Sequence, residues 1–163
     1  FNMSVERSSL DRIYPICADL KAITSAGIPM GSLDCVTCNP PYKAAKAGIE
    51  SEMTAQKIAR HEILCNINDV CAAAAKLLKF GGKLCICNRP ERLADVISAM
   101  KSNNIEPKTL RFVSKTPDDA PWLFLIEGKK GGKPFMNVMP QLYMNCGGGV
   151  SEELRAIYGH TEP

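Results

Sequence analysis

The residues best equipped for chemistry are Asn39, Pro40, Pro41 and Tyr42, which close and follow the strand-forming run LDCVTCN (33–39). Proline has no N–H and a fixed φ, so two in succession cannot continue a ladder. The strand must stop there. It leaves a polar amide, a rigid elbow and an aromatic ring at its C-terminal end. In an open α/β sheet, ligands bind outside the C-terminal ends of the strands. The Asn39 side-chain oxygen is an acceptor, and Pro40 keeps a carbonyl that the sheet cannot recruit. Two such acceptors can hold the two N–H bonds of a planar amino group, either the exocyclic amine of a base or a side-chain amide. The lone pair of that group is conjugated and weakly nucleophilic. Fixed acceptors favour a pyramidal nitrogen and aim its lone pair at an electrophile, which is catalysis by orientation and preorganised electrostatics without a strong base. Tyr42 offers a face for stacking, worth about 1–3 kcal/mol for a base. A plain strand terminator is the bland alternative. The apolar strand before the tetrapeptide and the order of the elements outweigh it.

The eight cysteines offer less. Cys35 and Cys38 have the C-x-x-C spacing of zinc or redox sites. Yet an extended strand sends residues three apart to opposite faces. Cys35, Cys85 and Cys87 also sit in apolar strand patterns, where cysteine behaves as a small hydrophobe. No second C-x-x-C and no H-x-x-x-H accompanies them, so no metal site is expected. Eight reduced thiols point to the cytoplasm.

Several elements must position the tetrapeptide. RIYPIC (12–17) reads as an edge strand distorted by Pro15, preceded by a polar stretch, 1–9, that can end a helix. ADLKAITSAGI (18–28) reads as a short helix or connection. Residues 43–52 read as a loop. Apolar residues recur at helical spacing over 54–79, with a break at Asn66 or Asn68 and Asn68 as the cap of the second half. FGG (80–82) reads as its C-terminal stop. KLCICN (83–88) is the next strand, 89–104 a helix with Pro90 in its first turn, and 108–115 and 122–130 two strands joined by the turn TPDDAP. A helix follows over 151–159. Alternating strands and helices imply an α/β fold, a mostly parallel sheet with helices on both faces. The short turn makes the last two strands an antiparallel pair.

The tetrapeptide looks like motif IV of class I S-adenosylmethionine-dependent amino methyltransferases. DCVTCNPPY, ARHEILCNINDVCAAAAKLLKFGGKL, NRPERLADVISAMKSNNIEPKTLRFV and LIEGKKGGKP together resemble the bacterial tRNA adenine-N6 methyltransferase family, which acts on adenosine 37 of a valine tRNA. The similarity spans nearly the whole chain. NPPY alone is shared with DNA adenine, guanine-N2 and release-factor glutamine methyltransferases. The NRPERL and EGKKGGKP segments favour the tRNA-type family. The resemblance implies a Rossmann-like class I sheet and S-adenosylmethionine as cofactor, with S-adenosylhomocysteine as product. It implies that Asn39 and the Pro40 carbonyl hold the target amine while Tyr42 stacks on a flipped adenine. Asp19 matches the acid that contacts the cofactor's adenine amino group, and the Leu20 amide lies near the same ring. Asp19 also suits a helix N-cap. Pro41, Tyr42, Lys43, Lys129, Lys130 and Lys133 are the implied substrate contacts, the lysines meeting tRNA phosphates; ordinary solvated lysines, Lys46 included, are an equal reading.

The family also begins with a strand, a Gly-rich loop, a helix and a second strand ending in an acid, and this chain has no such segment. Gly147–Gly149 reads as a flexible turn rather than a phosphate loop. The chain starts Phe1-Asn2-Met3. The expectation is that 1–163 is the C-terminal portion of a single methyltransferase domain, truncated at its N-terminus and inactive alone. Arg60, His61 and Glu62 read as an ion-pair or capping trio, and Trp122 as core.

Composition agrees with one domain. There are 163 residues, 45% of them hydrophobic, which permits a packed core. A net charge of +3, from 20 basic and 17 acidic residues, permits nucleic-acid binding without requiring it. No apolar run approaches a membrane span, and no signal peptide is visible. Two other functions stay open: glutamine-N5 methylation of a protein, and a non-catalytic RNA-binding or assembly module. Oligomeric state is not encoded legibly.

Overall fold

The computed structural model describes residues 13–40 and 65–159. The expected strand at 12–17 does not form over 13–17, which join no ladder. Pro15 removes a donor, and Ile13, Tyr14 and Ile16 are all exposed, Tyr14 by 81%. Arg12, the stretch 1–9 and the loop residues 43–52 lie outside the described residues. The helix expected over 18–28 is a single 3-10 segment, Leu20–Ser25. Asp19 caps it, accepting from the Lys21 N–H at 2.9 Å. Gly27, at φ +75, then turns the chain toward Pro29.

Strand β1 is Leu33–Cys38. Helix α1, Ile67–Leu77, begins at a capping box. The Asn66 side chain accepts from the Asp69 N–H at 3.0 Å, and Asp69 accepts from the Asn66 N–H at 2.9 Å. The break therefore falls at Asn66, and Asn68 is not the cap; residues 54–64 of the expected helix lie outside the described residues. Strand β2, Leu78–Asn88, starts with no intervening loop. FGG is thus not a helix stop. Leu33 pairs with Leu78 and Cys35 with Lys83, so the residues between form a bulge in β2. Gly81 takes φ +80 inside it. A Cβ on Gly82 would lie 3.0 Å from the Lys79 carbonyl and 3.1 Å from that of Leu33. Glycine serves here as a bulge residue.

A one-turn 3-10 segment, Pro90–Arg92, leads into helix α2, Leu93–Ser102. Asn103 ties the helices together, donating to Asn68 Oδ1 at 2.9 Å and to the Ala99 carbonyl at 2.8 Å. Strands β3, Ile105–Ser114, and β4, Leu123–Lys130, form the expected antiparallel pair. Four two-residue strands that the sequence did not announce follow: β5 Asn137–Val138, β6 Leu142–Tyr143, β7 Asn145–Cys146 and β8 Gly149–Val150. Helix α3, Glu152–Ile157, is capped by Ser151.

The main sheet has the order β1-β2-β4-β3-β5, with β6 also on β3, and β7-β8 form a separate antiparallel pair. β1 and β2 are parallel, as are β3 with β5 and with β6. β4 alone runs the other way, wedged between β2 and β3. The fold is thus α/β with a mostly parallel main sheet. Both α1 and α2 pack on one face, against Leu84, Ile86, Leu110, Phe124 and Ile126. Among the described residues no helix of comparable length covers the other face, where Cys35, Cys85 and Leu125 lie. The expectation of helices on both faces is met on one.

Adjacent residues on β4 separate the two faces. Phe124 is fully buried and Leu125 is 40% exposed. Phe124→Ala is expected to lower unfolding free energy by about 3–5 kcal/mol, and Leu125→Ala by about 1 kcal/mol or less; urea denaturation reads both. Cys71, on the buried side of α1, has its thiol pushed up to about 12, first by burial and then by the neighbouring Cys38. An unfolded thiol ionises near pH 9. The Cys71 contribution to stability is therefore full below pH 9 and lost as pH climbs toward 12, with a slope of up to about 1.4 kcal/mol per pH unit. Thermal melting across that window should fall less steeply for Cys71→Ala than for the wild type.

Candidate active site

β1 ends where its chemistry begins. The last paired residue is Cys38, opposite Ile86. Asn39 and Pro40 run on beyond the ladder, Asn39 exposed and Pro40 half-buried. The asparagine is not turned into the core, and among the described residues no strand pairs with Pro40. Both residues line a cleft of about 290 Å³ at the C-terminal ends of β1 and β2. Its other walls are Leu20 from the 3-10 segment, Cys65, Asn66 and Ile67 at the start of α1, and Asn88 and Arg92 after β2. Of the expected site residues, the fold thus gathers Leu20, Asn39 and Pro40. Asp19 stands next to Leu20, its carboxylate engaged as the cap described above. Pro41, Tyr42 and Lys43 lie outside the described residues, as do Lys46, Arg60, His61 and Glu62.

The lysines expected to meet substrate phosphate do not join this group. Asn88 pairs with Phe124, whereas Lys129 pairs with Lys83, about 17 Å away along the sheet. Lys130 donates to the Leu78 carbonyl at 2.7 Å, which stitches β4 to the bulge. Lys133 is exposed on the loop after β4, and its carbonyl accepts from Lys108 Nζ at 3.1 Å. All three are at the opposite end of the sheet from Asn39. Gly147 and Gly148, at φ +62 and +85, make the turn between β7 and β8.

Sequence reasoning missed Asn66, Asn88 and Arg92 as cleft residues. Asn88 is buried, and its side chain accepts from the Arg89 N–H at 2.8 Å. Arg89 stacks on Trp122, its Cζ 5.5 Å from the ring centroid, and its Nη1 lies 3.4 Å from the Trp122 carbonyl. Trp122 is half-buried rather than core. The only advance signal was the NRPERL segment, read for resemblance and not for position.

The thiols in the cleft are protonated at neutral pH. Burial pushes Cys38 up, and nearby Cys65 adds to it. Burial also raises Cys65, with Asp69 and Asp19 reinforcing and Lys21 opposing. On the bare face, burial and Cys35 push Cys85 up to about 11. A protonated thiol is a poor nucleophile and a poor metal ligand. Among the described residues no group of three or more His, Cys, Asp or Glu is placed to hold a metal ion. A larger hollow of about 540 Å³ on the bare face also reaches Asn39. It follows the sheet surface and lacks Pro40 and Leu20, so the smaller cleft is the better candidate.

No protein-family model matches the chain, and no curated protein matches it. Solved structures do. A predicted O-methyltransferase from Agrobacterium tumefaciens superposes with a TM-score of 0.76 at 19% identity, covering 97% of this chain and 70% of that one. A putative DNA modification methylase from Thermus thermophilus gives a TM-score of 0.48 at 17% identity over 85% of this chain. Its complex with S-adenosyl-L-methionine gives 0.48 at 15% identity. The chain spans 57% and 59% of the length of those two. The superposition on the A. tumefaciens structure shows that this chain shares its Rossmann-like α/β fold.

Proposed function

We propose that the chain carries the acceptor half of an S-adenosylmethionine-dependent N-methyltransferase whose target is the exocyclic N6 amine of an adenine in tRNA. One observation carries the reading: Asn39 and Pro40 stand together in a cleft beyond the end of β1, outside the ladder. Two oxygens suit a group with two N–H bonds. A hydroxyl offers one hydrogen, so an amine is the better acceptor even though the A. tumefaciens neighbour is described as a predicted O-methyltransferase. The sequence resemblance to the tRNA adenine-N6 family supports the choice of base.

S-adenosylmethionine, when bound, supplies an electrophilic methyl group. The residues present fit its adenine edge: Leu20 and Ile67 give apolar walls and Asn66 a polar one. Asn39 and the Pro40 carbonyl hold the two amine hydrogens, so the nitrogen lone pair points into the cleft. As the nitrogen becomes positive, both oxygens bind its hydrogens more strongly. One proton then leaves to solvent. Location in the cytoplasm belongs to the same proposal, resting on the eight cysteines of the sequence; no described helix is long and apolar enough to cross a membrane.

Two outcomes test this. The 163-residue chain alone, titrated with S-adenosylmethionine in a calorimeter, should show weak binding or none; tight binding would refute the fragment reading. In a polypeptide that supplies the upstream strand, glycine loop and helix, Asn39→Ala should lower methyl transfer to tRNA by about 10²–10³-fold. The readout is N6-methyladenosine by mass spectrometry, and a release factor labelled in place of tRNA would move the acceptor to glutamine.

A further inference from the structure

We propose that Asn88 is a specificity-determining residue of the cleft, its side-chain amide donating to N1 of the substrate adenine, the ring nitrogen beside the target amine. This inference rests on the amine-methylation reading and adds to it the atom by which a base is told from other amines. Asn88 closes β2 and lines the cleft with Asn39 and Pro40. Three polar residues are buried among the described ones, Asn88, Ser114 and Ser151, and Asn88 is only 4% exposed. Burying a polar group is costly unless it is hydrogen-bonded. Both serines meet that demand inside the fold. Ser114 donates to the Asp119 carbonyl and accepts from Gln141. Ser151 donates to the Tyr143 carbonyl and accepts from the Leu154 N–H. Asn88 meets half of it. Its Oδ1 accepts from the Arg89 N–H at 2.8 Å, and among the described residues its Nδ2 has no hydrogen-bond partner. Nor is that nitrogen sealed from solvent, as the orphaned Trp122 Nε1 is. It opens on the cleft.

The backbone settles which end of the amide is which. An N–H bonds only to the oxygen, so the Arg89 N–H fixes Oδ1 and leaves Nδ2, with its two donors, on the other side. Packing fixes the rest of the side chain, which shares its face of β2 with buried Leu84 and Ile86. The parallel register that sets Cys38 opposite Ile86 carries Pro40 toward the level of Asn88 on the neighbouring strand. One wall of the cleft thus presents acceptors and the next presents a donor. Adenine matches that pattern along one edge, where N6 donates twice and the adjacent N1 accepts. A base extruded into a pocket is read on this Watson–Crick edge. A lysine ammonium has donors and no acceptor. It would leave the buried Asn88 donor unpaired, and a site built around such a donor rejects a substrate that cannot meet it.

The test is fluorescence anisotropy with the full 163-residue chain. The probes are three labelled RNA stem–loops that differ at one unpaired base: adenine, 1-deazaadenine, which has C–H in place of N1, and purine, which lacks the amine. We expect the wild type to bind the 1-deaza hairpin about 5–10-fold less tightly than the adenine hairpin, the worth of one neutral hydrogen bond. Asn88→Asp keeps an oxygen for the Arg89 N–H and puts a second oxygen where the donors were. It should abolish or invert the preference, and its urea midpoint establishes that it folds. Equal binding of adenine and 1-deazaadenine by the wild type overturns the proposal without recourse to any variant. A preference that persists unchanged in folded Asn88→Asp overturns it too. The purine arm reports on the amine separately. Weak purine binding without an N1 preference keeps the amine reading and sinks the role of Asn88. An N1 preference with purine bound as well as adenine supports Asn88 and sinks the amine grip. Competition by a glutamine peptide as strong as by unlabelled adenine hairpin would make the acceptor an amide oxygen, and the N1 assignment would fall. Failure of the wild-type chain to bind any of the hairpins overturns both readings.

Discussion

The candidate site depends on the parallel pairing of β1 with β2. Cys38 lies opposite Ile86, so the chain continues with Asn39 and Pro40 toward the level of Cys87 and Asn88. Slipping the register by one residue would turn every β1 side chain to the other face. The core resists that slip. Val36 and Cys38 pack with Leu84 and Ile86 beneath α1 and α2, while Cys35 faces the bare side. The lower end of the pair tolerates a bulge between Leu78 and Lys83, but from Cys35 to Cys38 the ladder is regular. Apolar burial at one end of two strands thus fixes where a polar pair emerges at the other.

The strands were legible because their apolar runs are bounded by residues that stop ladders. β1 ends where Pro40 predicts and β3 and β4 flank TPDDAP as expected, although β3 starts three residues earlier, at Ile105. The misreadings have physical causes. Glycine ends helices and also makes bulges, and composition does not separate the two; at Phe80-Gly81-Gly82 the second use applies. Residues 13–17 have strand-like composition but no neighbour to pair with among the described residues. A strand propensity of about 1 kcal/mol does not hold a segment without cross-strand contacts. The wedge of β4 between β2 and β3 is invisible in sequence, because a short turn fixes only that β3 and β4 are antiparallel. Two-residue strands such as β5 and β6 carry no periodicity to detect.

The same division runs through the site. Asn39 and Pro40 were legible because proline's missing donor is a local fact. Asn88 and Arg92 come from a different strand end and meet Asn39 only through the sheet, so no spacing announced them. The lysines after β4 show the opposite error. Charge and resemblance drew attention to Lys129, Lys130 and Lys133, but β4 runs antiparallel to its neighbours and delivers them to the far end. A single reversed strand therefore decides which basic residues stand near Asn39.

That arrangement sets an electrostatic problem. On the proposed reading methyl transfer to an amine makes a cation, and the cleft has Arg92 in its wall with Asp95 2.9 Å from its Nε. A like charge in the wall raises such a state in proportion to how little its own counter-charge screens it. Asn39 and Pro40 act against this locally, since carbonyl oxygens bind a positive nitrogen more strongly than a neutral one. Asp95 offsets the arginine in part, though from an exposed position where its field is screened. On the proposed reading, carbonyl oxygens at the amine and a carboxylate at the arginine act on the same developing charge from its two sides.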